Sequence, residues 1–229
     1  MRYLILGDGR LSTELRKQTN WNYISRKKDS IDFVGIHTYS KYLDNYDQII
    51  NCIGYTKTYE NNKEDNWNIN YTGVIDLVDY CKKYNKKLIH ISTDYVYANS
   101  VENSSEEDVP SNFNTWYSYT KLLGDGYVQA KLNDYLLVRT NFKPKPFPWK
   151  FAWGVKGNFD YVDVISDLIV KLIKKKALGV YNVGTEIKSY YELAKQTVKD
   201  CELMNNTNIN PPPNITMNIN KMKNTIIKG

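Results

Sequence analysis

Tyr117 and Lys121 stand four residues apart in the stretch TWYSYTKLL, residues 115–123. If that stretch is helical, about 3.6 residues per turn puts both on one face, so a phenol and an ammonium can share a site. A cation beside a phenol stabilises the phenolate and prepares it to give or take a proton near neutrality. Tyr119, two residues from the lysine, is rotated by about 200° and is expected in packing or at an interface. The chain holds 20 tyrosines, so the pair gains meaning only from its surroundings. Upstream, HISTDYVY (90–97) ends an apolar run in hydroxyls and one acid, Ser92, Thr93 and Asp94. These either cap the start of a loop or form the floor of a ligand crevice, where strand C-termini collect in a doubly wound sheet.

A second constellation lies at the start. YLILGDGRLSTEL (3–15) reads as a strand, a Gly7-x-Gly9 turn and a helix, with Arg10 and Leu11 opening the helix and Ser12 where a dinucleotide fingerprint has its third glycine. Such glycines let backbone N–H groups approach a pyrophosphate at a helix N-terminus, and serine is small enough for close helix–strand packing. The ribose-reading position falls about twenty residues on, in Ser25-Arg26-Lys27-Lys28-Asp29. Counting selects Asp29, which suits NAD. Arg26 and Lys27 follow the expected strand NYIS directly and suit a 2′-phosphate. The preference is therefore NADPH over NADH, the competing reading being a solvated basic turn.

These groups need a frame. Apolar strands are expected at YLILG, NYIS, IDFV, QIINC, KLIHIS, YLLVR and GVYNVG, with helices from Leu11, over Trp67–Tyr84, 118–131, 162–176 and 190–200. On the long helix Val74/Val78 and Leu77/Cys81 repeat at i,i+4. Strands that are apolar throughout and alternate with helices predict an α/β fold, a Rossmann-type doubly wound parallel sheet with a small C-terminal substrate lobe. Residues 1–141, continued by 162–183, form the expected NADP-binding core. Residues 142–161 and 184–229 form the lobe, beginning in the proline-broken NFKPKPFPWKFAW. The tail NNTNINPPPNITMNINKMKNTI is polar and proline-broken, and is either disordered or closed by ITMNINKMKN as a strand and a short helix.

The bulk numbers fit. At 229 residues and 41% hydrophobic content the chain can bury one sizeable core. Its net charge of +6 is scattered in short clusters, which disfavours nucleic acid and suits small anionic ligands. No apolar run spans a bilayer and no export signal is read. Cys52, Cys81 and Cys201 form no disulfide framework, Cys52 and Cys81 are expected as buried thiols, and His37 and His90 are too far apart for a metal cluster. A cytoplasmic protein without metal or membrane partner follows.

The ordered set NCIGYT, NINYTG (68–73), LIHISTDYVY (88–97), YSYTK, YLLVRTNF (135–142), DYVDVISDLI (160–169) and GVYNVGTEIKSYYELA (179–194) resembles the extended short-chain dehydrogenase/reductases, within them the dTDP-4-dehydrorhamnose reductase branch. The resemblance implies an NADPH-dependent reductase of a nucleotide-linked 4-keto-6-deoxy sugar, of dTDP- or UDP-4-dehydrorhamnose type. In it Tyr117 protonates the substrate oxygen as hydride reaches C4, Thr93 hydrogen-bonds that oxygen, and Lys121 binds the nicotinamide ribose and lowers the pKa of Tyr117. By the same resemblance Gly7, Gly9, Arg10, Leu11, Arg26, Lys27, Cys52, Ile53, Gly54, Asn70, Ser92, Tyr117, Lys121 and Thr140 contact the cofactor. Tyr55, Asp94, Trp116 and Asn141 contact the nucleotide-sugar substrate. Trp116, Lys145, Phe147, Trp149 and Trp153 supply either a stacking and phosphate-binding wall or the packing of a proline-rich loop. The resemblance leaves a homodimer open. Two other readings stay open: a redox-neutral NAD-dependent sugar-nucleotide epimerase, and a non-catalytic regulatory subunit of methionine adenosyltransferase type.

Overall fold

The computed structural model describes residues 1–98, 100–110, 114–204 and 209–227. Its frame is a six-stranded sheet of β1 (Tyr3–Leu6), β2 (Asn22–Ile24), β3 (Gln48–Asn51), β4 (Lys87–Ile91), β5 (Tyr135–Thr140) and β10 (Gly179–Val183). The spatial order is β10-β5-β4-β3-β1-β2, with every neighbouring pair parallel. The order reverses at β1, and the gap between the C-terminal ends of β1 and β3 is where such a sheet opens a crevice.

Both faces are covered, as the unbroken apolar strands predict. Helices α1 (Arg10–Gln18), α7 (Val162–Lys174) and α9 (Asn220–Ile227) pack Leu11, Leu15, Ile165, Ile169 and Met222 against one face. Helices α3 (Ile36–Leu43), α5 (Gly73–Lys83) and α6 (Trp116–Lys131) bury Tyr39, Leu43, Val74, Leu77, Val78 and Val128 on the other. The sequence's closing strand and short helix are present, and α9 lies against α7 and β10.

Three expected elements differ. IDFV forms no strand: Ile31 and Phe33 point inward as a strand's residues would, but the Asp32 carboxylate accepts from Val34 N at 3.1 Å and Thr38 Oγ1 accepts from Asp32 N at 3.0 Å, which folds the segment into turns. Between α2 (Arg26–Asp29) and α3 this leaves β2 as the sheet edge. The helix expected over Trp67–Tyr84 is α4 (Lys63–Trp67), a π-helical turn over Asn68–Thr72, and α5. The helix expected at 190–200 stops as α8 (Tyr190–Lys195), because the N–H groups of Gln196 and Thr197 turn to carbonyls three residues back.

The lobe is built from two-residue strands. β6 (Phe142–Lys143) pairs with β9 (Asp160–Tyr161), β7 (Phe151–Ala152) with β12 (Glu202–Leu203), and β8 (Lys156–Gly157) lies between β11 (Lys188–Ser189) and β13 (Asn214–Ile215). Such short ladders supply few hydrogen bonds, so an apolar cluster of Tyr95, Phe147, Ala152, Phe159, Tyr161, Tyr190 and Leu193 organises this region. No helix among the described residues is long and apolar enough to cross a membrane.

Candidate active site

A crevice of about 720 Å³ runs along the C-terminal ends of the parallel strands. Its first section is the turn after β1. Gly7 has φ +102, a conformation that strains any side chain, and its N–H donates to Ile24 O at 2.8 Å. Ser12 is fully buried and its hydroxyl donates to Gly7 O at 2.7 Å, so the residue in place of the third glycine ties the turn to α1. A Cβ built on Gly9 meets nothing within 4 Å. The turn is open there, and the start of α1, whose first N–H groups have no intrahelical partner, lines the crevice.

The second section is the end of β3. Asn51 Oδ1 accepts from Ile53 N at 3.0 Å, shaping the turn that brings Cys52, Ile53 and Gly54 to the crevice wall. Asn70 holds the following loop: its Oδ1 accepts from Tyr55 N at 2.9 Å and its Nδ2 donates to Tyr55 O at 3.0 Å. The π-helical turn makes this possible, by adding a residue to the turn that carries Asn70. Asn70 also donates to Asn66 Oδ1 and, at 3.4 Å, to Thr120 Oγ1 on α6.

The third section carries the acid–base groups. Helix α6 starts at a capping box, in which Thr115 accepts from Ser118 N at 3.1 Å and Ser118 Oγ accepts from Thr115 N. The register so fixed turns Tyr117 and Lys121 together into the crevice, next to Ile91, Ser92 and Thr93 from the end of β4. Burial pushes the Tyr117 phenol up to about 12, hydrogen bonding with Thr93 opposes the rise, and the charges of Asp94 and Asp125 add to it. Lys121 is buried and donates to Ile91 O at 2.7 Å. Burial lowers it to about 8, against the pull of Asp125 and Cys52. The expectation that Lys121 draws the phenol's pKa down is therefore not met in this structure. Desolvation dominates, and the ammonium is directed at the β4 carbonyl.

Behind Lys121 lies a group that sequence reasoning missed. Asp125, one turn further along α6 and fully buried, accepts from Arg139 Nε at 3.3 Å, and Arg139 also donates to Tyr97. The signal was available: Lys121 and Asp125 are i,i+4 on the same helix, and Arg139 sits at the end of an apolar strand. At the far end of the crevice Thr140 anchors to Val183 O at 2.8 Å, and Asn141 donates to both oxygens of Asp94 and to Tyr190 Oη at 2.7 Å. Burial lifts Asp94 to about 7, with Lys143, Asn141 and Thr93 opposing.

Of the residues singled out from sequence, Gly9, Arg10, Leu11, Cys52, Ile53, Gly54, Ser92, Thr93, Tyr117, Lys121, Thr140 and Asn141 all line this crevice. Gly7 and Asn70 shape its walls from behind. Asp94 lies behind Thr93 in the buried network, not on the floor. Tyr55 turns outward to Glu60. Arg26 and Lys27 are exposed on α2 outside the lining, and Asp29 turns back to accept from Ser25 N at 2.9 Å. Cys52 is half-buried, not enclosed, while Cys81 is buried as expected. Trp149 and Trp153 line the crevice, whereas Phe147 is core and Lys145 pairs with Asp163 at 3.0 Å. Trp116 lies in a neighbouring groove with Tyr119, whose ring sits 6.0 Å from that of Trp116 and 6.4 Å from that of Trp67. Lining residues unforeseen from sequence include Tyr59, Tyr95, Lys143 and Tyr190. Tyr95 lies two residues past Thr93, while Tyr59, Lys143 on β6 and Tyr190 at the start of α8 are brought in by tertiary packing that no local pattern announces. Among the described residues no group of three or more His, Cys, Asp and Glu is placed to hold a metal.

A parallel sheet of this order, with a glycine turn at the switch point and a Thr–Tyr–Lys set at the strand ends, defines a Rossmann-type protein of the extended short-chain dehydrogenase/reductase class. Residues 1–142 match the RmlD substrate binding domain, and the chain belongs to that family. The dTDP-4-dehydrorhamnose reductase of Mycolicibacterium smegmatis is 35% identical over 107 residues, covering 44% of this chain and 32% of that protein. A probable low-salt glycan biosynthesis reductase of Haloferax volcanii is 32% identical over 117 residues, covering 49% and 39%. These matches thus span only 32% and 39% of the relatives' own length. Among solved structures, a dTDP-4-dehydrorhamnose reductase from Bacillus anthracis in complex with NADP superposes with a TM-score of 0.83 at 22% identity, covering 97% of this chain and 92% of that one. A hypothetical dTDP-4-dehydrorhamnose reductase from Sulfolobus tokodaii superposes with a TM-score of 0.83 at 25% identity, covering 97% and 94%. The fold expected from sequence and its family resemblance are both borne out.

Proposed function

We propose that this chain is an NADPH-dependent reductase of a nucleotide-linked 4-keto-6-deoxy sugar of the 4-dehydrorhamnose type. The observation that carries the reading is the convergence of Thr93, Tyr117 and Lys121 in a single crevice that begins at the open Gly9 turn. The residues fit a dinucleotide: the α1 N-terminus would hold its pyrophosphate, Cys52–Gly54 its middle, and Lys121 its nicotinamide ribose. Bound there, NADPH would supply hydride to a carbonyl carbon.

Tyr117 gives its proton to the carbonyl oxygen. Burial holds the phenol in its protonated form, the form a proton donor starts from. Thr93 hydrogen-bonds the same oxygen and orients the phenol. Asn141 lines the crevice on the sugar side and ties Tyr190 to the buried Asp94 behind it. In this reading residues 1–141 with 162–183 bind the cofactor, and the lobe closes on the sugar nucleotide. The preference for NADPH over NADH rests on Arg26 and Lys27, with Asp29 withdrawn into its own turn. The relatives' names, and the NADP in the Bacillus anthracis complex, support the reading.

Tyr117→Phe is expected to lower turnover by about 10²- to 10⁴-fold while leaving NADPH affinity nearly intact. A panel of dTDP- and UDP-linked 4-keto-6-deoxy sugars, followed by NADPH absorbance, is the measurement. Substantial residual turnover in that variant removes Tyr117 from the role. Tightly bound NAD that is never consumed would replace the reductase with an epimerase, and capture of a partner enzyme without any turnover would point to a regulatory subunit.

A further inference from the structure

Two cations line the crevice from different elements. Arg10 opens α1 on the core side and is exposed, and Lys143 ends β6 on the lobe side and is half-buried. Their charges interact, since Arg10 disfavours the Lys143 ammonium. Among the described residues neither makes a hydrogen bond or an ion pair. Nearby lobe lysines are treated differently: Lys145 pairs with Asp163 at 3.0 Å and Lys188 with Asp160 at 2.9 Å. The acid whose charge favours the Lys143 ammonium is Asp94, and both its oxygens are engaged by Asn141.

Lys143 is also aimed. Its ammonium lies 4.1 Å from the centre of the Tyr190 ring. That ring is itself fixed, stacked on Phe159 at 4.0 Å and hydrogen-bonded through its hydroxyl by Asn141 at 2.7 Å. A cation held over an aromatic face loses little entropy on gaining a ligand. Burial lowers Lys143 to about 8, and an anion arriving beside it favours the charged form. A single phosphate could serve one of the two cations. A diphosphate carries acceptor oxygens at both ends and can meet a guanidinium and an ammonium together.

We propose that Lys143 and Arg10 form a two-sided anion site for the diphosphate of a nucleotide ligand, drawing the lobe wall toward α1 when it binds. The proposal rests on the nucleotide-dependent reading above and adds a lobe residue to it. The diphosphate could belong to the dinucleotide or to the nucleotide sugar, and the experiment separates them.

Calorimetric titration of the full chain with NADPH, with dTDP and with inorganic pyrophosphate tests it. Lys143→Gln is expected to weaken the ligands that use the site by roughly tenfold to a hundredfold, the scale of one charge-assisted hydrogen bond. It should also flatten their dependence on salt, while Lys143→Arg retains most of the affinity. Arg10→Gln, at the exposed rim where folding is not at stake, should act in the same direction. Weakening of NADPH alone assigns the site to the cofactor, and weakening of dTDP alone assigns it to the sugar nucleotide. Unchanged binding of all three ligands in both variants overturns the proposal. A wild-type chain that binds pyrophosphate through Lys143 but neither nucleotide keeps the site and removes the reductase reading. Failure to bind any of the three overturns both.

Discussion

The two walls of the crevice hold their cations by opposite means. On the core wall, Lys121 is locked: it donates to the end of β4, and a buried Asp125–Arg139 pair stands one helical turn behind it. On the lobe wall, Lys143 rests on an aromatic ring, and among the described residues no carboxylate pairs with it. The core wall consists of parallel strands and a long helix whose backbone groups satisfy one another. The lobe wall consists of two-residue strands held by side-chain packing. The lobe does pair other lysines, Lys188 with Asp160 and Lys145 with Asp163, so the contrast is specific to the crevice-lining Lys121 and Lys143.

Replacing Asp125 by Asn challenges this contrast hardest. It leaves Arg139 buried without its carboxylate and is expected to cost about 3–5 kcal/mol, read from urea unfolding. A loss no larger than that of an exposed substitution would mean the core wall is not locked.

Asp94 tests the junction of the walls. Its folded pKa, about 7, lies above the ordinary 3.8. Between those values the folded chain keeps a proton that the unfolded chain has lost, so this group's contribution falls as pH rises from about 4 to about 7, by at most about 1.4 kcal/mol per unit. Asp94→Asn should lack that decline, and parallel pH–stability curves for the two proteins would remove the buried-acid assignment.

Gly124 is the closest approach of α6 to the π-helical turn: a Cβ there would stand 2.7 Å from Asn70 O. Gly124→Ala should cost about 1–3 kcal/mol and lower cofactor affinity by displacing Lys121. Stability lost without any change in binding would separate the packing from the site. At the weak end, Lys145→Gln on the lobe wall breaks an exposed ion pair. No change in urea midpoint is expected, and a clear drop would show that lobe charges are held as firmly as those of the core.

The site was legible where it followed local rules. The glycine turn, the Thr93 hydroxyl at a strand end and the four-residue spacing of Tyr117 and Lys121 are short-range patterns, and the crevice gathers them. Asp94 and Tyr55 were misplaced because both lie on turns whose direction is set by distant partners, Asn141 and Asn70. IDFV alternates like a strand, yet two hydrogen bonds between Asp32 and its neighbours fold it into turns, and periodicity carries no information about such competition.

By itself, then, the sequence determined the alternating architecture, the family and the Tyr–Lys pair, because these depend on hydrophobic period and helical spacing within single elements. Tertiary structure alone decided that Lys121 would be satisfied and Lys143 left open. It also raised the Tyr117 phenol instead of lowering it, and turned Asn70 inward on a π-helical turn. Those outcomes depend on burial and on partners 15 to 50 residues away along the chain, and desolvation and long-range hydrogen bonding exist only once the elements have packed.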